Sequence, residues 1–310
     1  MSKVFLAGGD AYAAAKKVLE ISNFKELIRG KNKIVIKPNL VSGLSAKHGV
    51  TTDVEIVRAI LDFCPTGSDI TIVEGTAGAV ESFEKNGYMG LKKEYDVNII
   101  DCNKFGYKKV KVDGLIFNEI TVCKKVLDCD FLISAAKLKI HSVMKVTATL
   151  KNMMGVCPKS QRLLIHSNFP EALVDLISVR RPDFGIVDGV IANELDEIHS
   201  HPVKMGVVLG GTDGVAVDSV AALIIGVDPN MVSYINLAAR QGLGSADNVQ
   251  IVGESVEKFS KKLRTVCFNP RSMGQIFVIK ALTKLGLFIW YNNNIIPYVK
   301  NAKRHLNNGK

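Results

Sequence analysis

The sequence has no CxxC pair, and its six cysteines follow no regular spacing. This pattern predicts reduced thiols, most of them small buried side chains, rather than a disulfide framework. No apolar run reaches the about 18 residues that a membrane-spanning helix needs. The first residues enter a strand pattern and show no signal-peptide core, so we expect a cytoplasmic protein.

Two phosphate-binding motifs are also absent. The segment IVEGTAG, residues 72–78, places glycines after a strand pattern, but the chain has neither the GxGxxG of dinucleotide-binding folds nor a Walker GKS or GKT. Nor are its lysines interleaved with the aromatic residues that stack on single-stranded bases. We therefore do not expect nucleic acid as a partner.

What the chain does have is an excess of positive charge. It carries 40 lysines and arginines against 30 acidic residues, which gives a net charge of +10. With 310 residues, of which 47% are hydrophobic, it is long and apolar enough to bury a large core. A basic surface attracts phosphates, carboxylates, nucleic acid or an acidic membrane face, and composition does not choose among them.

Strand-length apolar runs alternate with helix-length amphipathic segments over the first hundred residues, and the alternation returns in the second half. This rhythm predicts an α/β fold, a largely parallel sheet with helices on both faces, whose ligands collect beyond the carboxyl ends of the strands. Residues 107–135 are predicted to form an antiparallel insert, in which the first two strands meet at a turn centred on Asp113 and Gly114.

The chain is predicted to contain one α/β domain over residues 1–268, either as a single unit or as two lobes of 1–135 and 136–268. A basic, apolar tail follows over 269–310. Residues 271–310 contain no acidic residue and include the only tryptophan. Two interpretations stay open: the tail lies at an anionic membrane surface, which would make the protein peripheral there, or it packs on the domain or on a partner subunit.

Polar side chains stand where two of the predicted strands end. Lys37 and Asn39 follow the first of these strands, and a glycine-containing loop leads to Thr51 and Thr52 at the start of the next helix. The unpaired N–H groups of a helix start bind anions. Glu74 ends the other strand, where it suits a general base, a metal ligand or a helix cap.

The segment KLKIHSVMKVTATLKNMMG, residues 137–155, concentrates positive charge in apolar surroundings. Lys137, Lys139 and His141 alternate along one face of a predicted strand. Several cations on one face repel one another unless something negative lies between them. A bound anion is the economical explanation.

The second part of that segment predicts a helix over residues 142–155 that closes at Gly155. Lys151 and Asn152 fall near its carboxyl end, where a lysine also stabilises the helix dipole. The dipole therefore explains Lys151 without any ligand, and both interpretations stay open for this residue.

Acids and histidines gather in the second half of the chain. His166 precedes a predicted helix, and Asp188 ends a predicted strand. The loop ELDEIHSHP has the residue types of a divalent-metal site, with Glu194, His199 and His201 as the ligand candidates. A solvated loop explains the same residues, because no HExxH or CxxC accompanies them. The presence and identity of a metal stay open.

Five segments follow one another in a fixed order: KPNLV with TTD, IVEG, KLKIHSVMKVTATLKNMMG, RPDFGIVDG and GGTDGVAVDSVAALIIGVDP. Together with His166 they resemble domain-of-unknown-function family 362, and the likeness covers roughly residues 1–250. The central lysine-rich block is the most specific part. By matching position, the resemblance implies these site residues: Lys37, Asn39, Glu74, Lys137, Lys139, His141, Lys151, Asn152, His166 and Asp188.

The chain departs from the family in two places. Many members carry a ferredoxin-like cysteine cluster for 4Fe-4S centres, which implies redox association, but no CxxCxxCxxxCP run exists here. Similar members also continue the strand FGIVDG with an EGxGP-type loop, where this chain has VIANELDEIHSHP. Glu194 stands for the family's acid in that loop, and the shape of the loop and its ligand are expected to differ.

The leading hypothesis is an enzyme that acts on a small phosphorylated or carboxylated metabolite. Lysines hold the anion, asparagines orient it, and His141 or His166 transfers protons with help from Glu74 or Asp188. A desolvated lysine can also act as a base or an imine-forming nucleophile. The alternative is a binding protein without catalysis, either a redox-partner scaffold or a membrane-surface adaptor. The substrate, the reaction type and the oligomeric state stay unassigned.

Overall fold

A computed structural model describes residues 1–41, 43–76 and 78–265. The strands in these ranges are β1 (Lys3–Gly8), β2 (Lys33–Pro38), β3 (Asp69–Glu74), β4 (Val97–Asp101), β5 (Tyr107–Lys111), β6 (Glu119–Cys123), β7 (Phe131–His141), β8 (Lys145–Thr147), β9 (Phe184–Asn193), β10 (Pro202–Gly211) and β11 (Gln250–Gly253).

The α-helices of the same ranges are α1 (Ala11–Ile21), α2 (Phe24–Leu27), α3 (Val54–Leu61), α4 (Ala79–Lys85), α5 (Tyr88–Glu94), α6 (Cys102–Phe105), α7 (Lys124–Leu127), α8 (Thr149–Asn152), α9 (Lys159–Ser167), α10 (Glu171–Val179), α11 (Gly214–Ile224), α12 (Ser233–Arg240) and α13 (Val256–Phe259). Short 3-10 helices span Ala46–His48, Met153–Val156 and Pro229–Met231.

One sheet, with nine strands among the described residues, organises the fold. Its order is β11, β1, β10, β9, β7, β2, β3 and β4, and β8 pairs with β7 beside this path. Along the path only β10 runs against its neighbours, because it is antiparallel to both β9 and β1. The other neighbouring pairs of the path are parallel. The prediction of a largely parallel sheet is confirmed.

Both faces of the sheet are covered, as predicted. Ile34 and Ile36 of β2 belong to a core that also contains Val18 of α1 and Ile56 of α3. Val35, which lies between the two isoleucines, belongs to a second core on the other face, with residues of α10 and α11. Because successive side chains of a strand point to opposite faces, an uninterrupted apolar strand requires two such layers.

The antiparallel insert is confirmed as the pair β5 and β6, which forms a separate two-stranded sheet. It ends at Cys123, whereas β7 joins the main sheet in parallel to β2 and β9. The connection between β5 and β6 is held by Asp175 of α10, whose carboxylate accepts hydrogen bonds from the backbone N–H groups of Leu115, Ile116 and Phe117.

The helix predicted over residues 142–155 is wrong in its first half. The chain turns back after His141, and β8 pairs with β7 as an antiparallel hairpin before the single turn of α8. Nδ1 of His141 accepts hydrogen bonds from the N–H groups of Val143 and Met144, at 3.0 and 3.1 Å, and Lys145 adopts a φ of 66°. A side-chain acceptor for two turn amides competes with helix formation, as short polar side chains do elsewhere.

The main sheet takes strands from both halves of the described chain, and residues 135 and 136 lie inside β7. The domain limits themselves stay a prediction, and the tail over 269–310 lies outside the described residues. Over the part of the chain that the structure describes, no helix is both long and apolar enough to cross a bilayer.

Candidate functional site

The carboxyl ends of neighbouring parallel strands lie at one edge of the sheet and bring together polar residues from distant parts of the sequence. Lys37 is the residue before the end of β2, and Glu74 is the last residue of β3. Lys137, Lys139 and His141 lie in the last part of β7. This is the edge at which α/β proteins bind their ligands. The sequence-predicted lysines therefore lie where the fold class led us to expect a site.

Lys37 and Glu74 form a buried ion pair. Nζ of Lys37 lies 2.9 Å from Oε2 of Glu74, and each side chain is 1% exposed. The same ammonium donates to the backbone oxygen of Pro38 at 2.7 Å and to Oδ1 of Asn152 at 3.1 Å. These three acceptors satisfy the three N–H bonds of an ammonium, so Lys37 has no donor left for a ligand.

Glu74 is equally occupied. Besides Lys37, its carboxylate accepts hydrogen bonds from the backbone N–H groups of Leu40 at 3.1 Å and Gly75 at 2.8 Å. Gly155 packs directly against this pair, and a Cβ at Gly155 would lie 2.7 Å from Nζ of Lys37 and in closer conflict with Glu74. The glycine that closes the lysine-rich segment therefore permits the ion pair to be buried.

Lys139 has three acceptors as well. Its Nζ donates to Oδ1 of Asn39 at 2.8 Å, to the backbone oxygen of Val50 at 2.9 Å and to that of Glu197 at 3.3 Å. Burial, followed by the positive charge of Lys151, lowers the pKa of Lys139 to about 7. Three oxygen acceptors match an ammonium and not an amine, so this geometry holds the proton on Lys139.

Lys137 pairs with Asp188 across two parallel strands. Its Nζ lies 2.8 Å from Oδ2 of Asp188, and both side chains are buried. Asp188 also accepts from the N–H groups of Asp53 at 2.8 Å and Val190 at 3.1 Å. The Asp188 carboxylate thus ties β7 and β9 to the start of α3.

The start of α3, predicted as an anion site, is capped by the protein itself. Asp53 is the N-cap, and its side chain accepts from the N–H of Glu55. Thr52 precedes this N-cap. Its Oγ1 donates to the backbone oxygen of Ala135 at 2.9 Å and accepts from the backbone N–H of Asn39 at 3.0 Å. Thr51 is also buried. Thr52 therefore acts within the fold, as a link between the loop and β7.

His141 presents one ring nitrogen with no hydrogen-bond partner. Because Nδ1 accepts two backbone N–H bonds, the neutral ring carries its proton on Nε2. The side chain is 3% exposed, and Nε2 has no hydrogen-bond partner among the described residues. The nearest carboxylate oxygen is Oε1 of Glu197 at 3.5 Å. Burial, then the charge of Lys151, lowers the pKa of His141 well below its ordinary value.

Lys151 differs from the other three lysines. In the described part of the chain no residue accepts a hydrogen bond from its Nζ, and its side chain is only half-buried. Burial of the ammonium, with a smaller effect from Lys37, lowers the pKa of Lys151 to about 8, while Glu197 opposes the shift. Lys151 therefore keeps hydrogen-bonding capacity that no described residue uses.

His166 lies in α9, a helix that sequence reasoning did not predict. Its Nδ1 donates to the backbone oxygen of Arg162 at 2.8 Å, which leaves a lone pair on Nε2. The rings of His166 and His141 both contact Phe169 edge-on, at centroid distances of 5.2 and 6.3 Å. Desolvation and then Lys151 lower the pKa of His166, an effect that solvent screens in part because the side chain is exposed.

Glu197 was absent from the set of predicted site residues. It accepts from the N–H and the Oγ of Ser142 at 3.1 and 3.0 Å, and so joins the loop after β9 to the turn after β7. The Glu197 carboxylate therefore lies close to His141 and Lys151. No local pattern marks Glu197 in the sequence, because one acid among several in a loop looks the same whether or not it meets a distant strand.

Asn39 and Asn152 connect the lysines. Nδ2 of Asn39 donates to Oδ1 of Asn152 at 3.2 Å, while Oδ1 of Asn39 accepts from Lys139. Asn152 also donates to the backbone oxygen of Lys37 at 2.9 Å and to Oγ of Ser134 at 3.0 Å. The two amides join β2, β7 and α8 into one hydrogen-bond network. We use the name lysine and histidine cluster for the two asparagines together with Lys37, Glu74, Lys139, His141, Lys151, His166 and Glu197.

Asp218 of α11 supports this cluster from behind. Its carboxylate accepts from the N–H groups of Thr149 at 2.7 Å and Leu150 at 3.2 Å, and from the hydroxyl of Tyr234 at 2.9 Å. The structure shows that it caps α8, the turn that carries Lys151.

The side chains of the candidate metal ligands are bound to other partners or lie apart from one another, although the backbone N–H of Glu194 donates to the oxygen of His201 at 3.1 Å. Glu194 pairs with Arg264, its Oε1 accepting from Nε at 2.7 Å, and His199 pairs with Asp196 at 2.9 Å. The backbone N–H of His201 donates to Oδ1 of Asn193. Across residues 1–41, 43–76 and 78–265, no group of three or more histidines, cysteines and carboxylates is arranged to hold a metal ion.

Similarity to known proteins agrees with the resemblance drawn from the motifs. A family model described as "Domain of unknown function (DUF362)" matches residues 34–223, a range that contains the whole cluster. A thylakoid-associated protein of Synechocystis sp. is 26% identical over 251 residues, covering 76% of each chain.

Among solved structures, the lactate racemase apoprotein from Thermoanaerobacterium thermosaccharolyticum is 12% identical, with a TM-score of 0.46. The match covers 69% of this chain and 55% of the racemase, little more than half of its length. A likeness this slight carries no argument about activity.

Proposed function

This chain belongs to the DUF362 family, and from that premise we propose that it is an enzyme acting on a small anionic metabolite held by the lysine and histidine cluster. The observation that supports the proposal is a contrast among hydrogen-bond donors. Lys37 and Lys139 each have three acceptors within the protein, whereas Nζ of Lys151 and Nε2–H of His141 have none among the described residues. Buried donors are nearly always paired, so the buried Nε2–H of His141 calls for an acceptor from outside. The half-buried ammonium of Lys151 is the charged donor of the cluster that no described residue uses.

The charge of the cluster favours an anion as that acceptor. Lys37, Lys139 and Lys151 contribute three positive charges when protonated, and Glu74 and Glu197 contribute two negative ones. Both histidines are held neutral, so the sum is +1. A single carboxylate or a phosphate oxygen would neutralise that charge and accept from both open donors.

The roles follow from what each side chain already binds. Glu74 and Asp188, predicted as catalytic acids, each accept from one lysine and from backbone amides, so in this proposal they fix the lysines. His166, whose Nε2 keeps its lone pair, takes the role of proton acceptor. Lys151 and His141 bind the substrate.

Ligand-dependent thermal stability tests this proposal. We expect acetate, pyruvate or inorganic phosphate to raise the melting temperature of the full chain above that in chloride of equal ionic strength. A ligand at about 100 times its Kd stabilises a protein by about 2.7 kcal/mol. Lys151→Ala should remove most of the shift, and Lys159→Ala, at an exposed position that begins α9, should keep it. An equal shift in both variants, or no shift with any anion, would contradict the proposal.

A second candidate is a membrane-surface protein, and the observation that favours it is the thylakoid association in the name of the relative. The basic, apolar residues 271–310 would make the contact in this case. Co-sedimentation of the full chain with anionic and with neutral vesicles tests it. If the Lys151→Ala protein still sediments with anionic vesicles, the chain binds membranes through a part other than the cluster. If the protein sediments equally with anionic and neutral vesicles, the membrane-surface proposal is contradicted.

A further inference from the structure

We infer that Lys151 is an imine-forming nucleophile and that the substrate is a small monoanionic carbonyl compound of the 2-oxo acid class. This inference rests on the proposed function, because it assigns chemistry to the same cluster. It starts from the one lysine of the cluster that has no acceptor in the described protein, beside a buried histidine N–H that has none either.

The other lysines are unsuited to this role for a geometric reason. A nucleophilic nitrogen needs a free lone pair, and a lysine whose three N–H bonds all point at oxygen acceptors has none to offer. Lys37 and Lys139 are in that state, and Lys137 is bound to a buried carboxylate. Lys151 alone among these four keeps its nitrogen unengaged within the described residues.

The protonation state of Lys151 agrees with this geometry. Its pKa of about 8 leaves about a tenth of Lys151 as the amine at pH 7, whereas an ordinary lysine is almost wholly protonated there. Partial burial among other cations is the usual means by which proteins activate a lysine for attack on a carbonyl.

Neighbouring groups suit the two ends of a 2-oxo acid. His141 offers an N–H donor to the carbonyl oxygen or to the carboxylate, and its neutral ring, edge-on to Phe169, adds no second charge. The net charge of +1 is matched by one carboxylate. Glu197 opposes a second negative charge, because its carboxylate lies 3.5 Å from the same histidine nitrogen. A monoanion therefore fits better than a dianion.

The step balances without an added reagent. His166 relays a proton from the Lys151 ammonium to solvent, and the freed lone pair attacks the carbonyl carbon while the π electrons move to oxygen. The new C–N bond gives a carbinolamine once a proton passes from nitrogen to oxygen. The C–O bond then breaks, a proton returned from solvent through His166 leaves with the hydroxyl as water, and a protonated imine remains. In sum, one ammonium and one carbonyl become one iminium ion and one water.

Reductive trapping tests the inference. The full chain is incubated with pyruvate and sodium cyanoborohydride, which reduces iminium ions in preference to carbonyls, and is then analysed by intact mass and peptide mapping. We expect one adduct per chain, with the mass of pyruvic acid less one oxygen atom, on Lys151. Lys159→Arg is the matched control and should label like the unchanged protein.

Lys151→Arg separates the two proposals, because arginine keeps the charge but forms no such imine. We expect it to lose the adduct and to keep stabilisation by acetate. Adducts spread over surface lysines, or an adduct that persists in Lys151→Arg, would overturn the inference. If acetate and pyruvate stabilise the protein without any trapped adduct, the imine fails and the proposed anion site stands. If no anion stabilises the protein, the site itself fails.

Discussion

Nζ of Lys37 and Oδ1 of Asn152 lie 3.1 Å apart although 115 positions separate the two residues in the sequence. The contact joins the end of β2 to α8. Lys151 is the neighbour of Asn152 in α8. The position of Lys151 therefore depends on the hydrogen bond between Asn152 and the buried Lys37.

Asn152→Ala is expected to destabilise the protein by about 2 kcal/mol. The change removes an amide that makes four buried hydrogen bonds and leaves Lys37 short of an acceptor. Urea unfolding at pH 7 measures the loss. Asn98→Ala, which removes an exposed hydrogen bond to Asp69, serves as the control and should cost less than about 0.5 kcal/mol. Similar costs for the two variants would contradict the buried network.

Two glycine substitutions should change the free energy of unfolding in opposite directions. Gly155→Ala places a methyl group within 2.7 Å of the Lys37 ammonium, so we expect a loss of about 1–3 kcal/mol from overpacking. Gly90→Ala lies in helix α5 with nothing within 4 Å of the new Cβ, and it should gain roughly 0.5–1 kcal/mol. Calorimetric melting of both variants checks this. A neutral Gly155→Ala would mean that the ion pair is loosely packed.

Asp218 predicts a particular dependence of stability on pH. Burial raises the pKa of its carboxyl from 3.8 to about 6 in the folded state. Between about pH 4 and pH 6 the native protein therefore holds a proton that the unfolded chain has lost, and the free energy of unfolding falls as pH rises through this window. The contribution is about 3 kcal/mol.

The comparison for Asp218 is Asp218→Asn, which does not titrate. We expect the difference in unfolding free energy, unchanged protein minus variant, to fall from pH 4 to pH 6 and to level off above. A difference that stays constant or rises across this range would show that the carboxyl is not perturbed as its burial indicates.

Anion binding should weaken above pH 8. Only the ammonium form of Lys151 attracts acetate, and its pKa is about 8, so each further pH unit should weaken binding by roughly 10-fold. Titration calorimetry between pH 7 and pH 9.5 measures this, since acetate itself does not change charge there. Lys151→Arg should bind acetate with little dependence on pH. The same dependence in both proteins would assign the titration to another group.

His166→Ala should slow the trapping of pyruvate while leaving stabilisation by acetate intact. A lost proton acceptor reduces rates on the order of 10²-fold, whereas the anion is held by other side chains. The rate of adduct formation under fixed cyanoborohydride gives the measurement. His48→Ala provides the control, because within residues 1–41, 43–76 and 78–265 that ring bonds to Ser45 alone, in the loop after β2. An unchanged rate in His166→Ala would remove His166 from the chemistry.

The sequence predicted those parts of the site that depend on strand periodicity. Lys137, Lys139 and His141 alternate, so their common face and their place at the end of β7 could be derived from spacing alone, and the same holds for Lys37 and Glu74 at the ends of β2 and β3. The site roles of these residues stay a prediction.

What escaped prediction depends on contacts between distant segments. The hairpin of β7 and β8 forms because the His141 ring accepts two amides, and Glu197 joins the cluster through Ser142, 55 positions away. The reversed direction of β10 is equally invisible, since its alternating residues fit a parallel or an antiparallel neighbour. Neither the hydrophobic pattern of a segment nor the structural propensity of its residues determines which distant segment it pairs with.

The hairpin and α8 have one more consequence. His141 and Lys151 lie on a single short stretch of chain, whereas Glu197 comes from the connection between the antiparallel neighbours β9 and β10. Such a connection tolerates lengthening or exchange without reordering the strands. The amine and the imidazole of the proposed site are thus placed relative to each other by one local stretch of chain, whereas the position of the Glu197 carboxylate depends on a separate loop. A change in that loop would alter the charge beside His141 without moving Lys151.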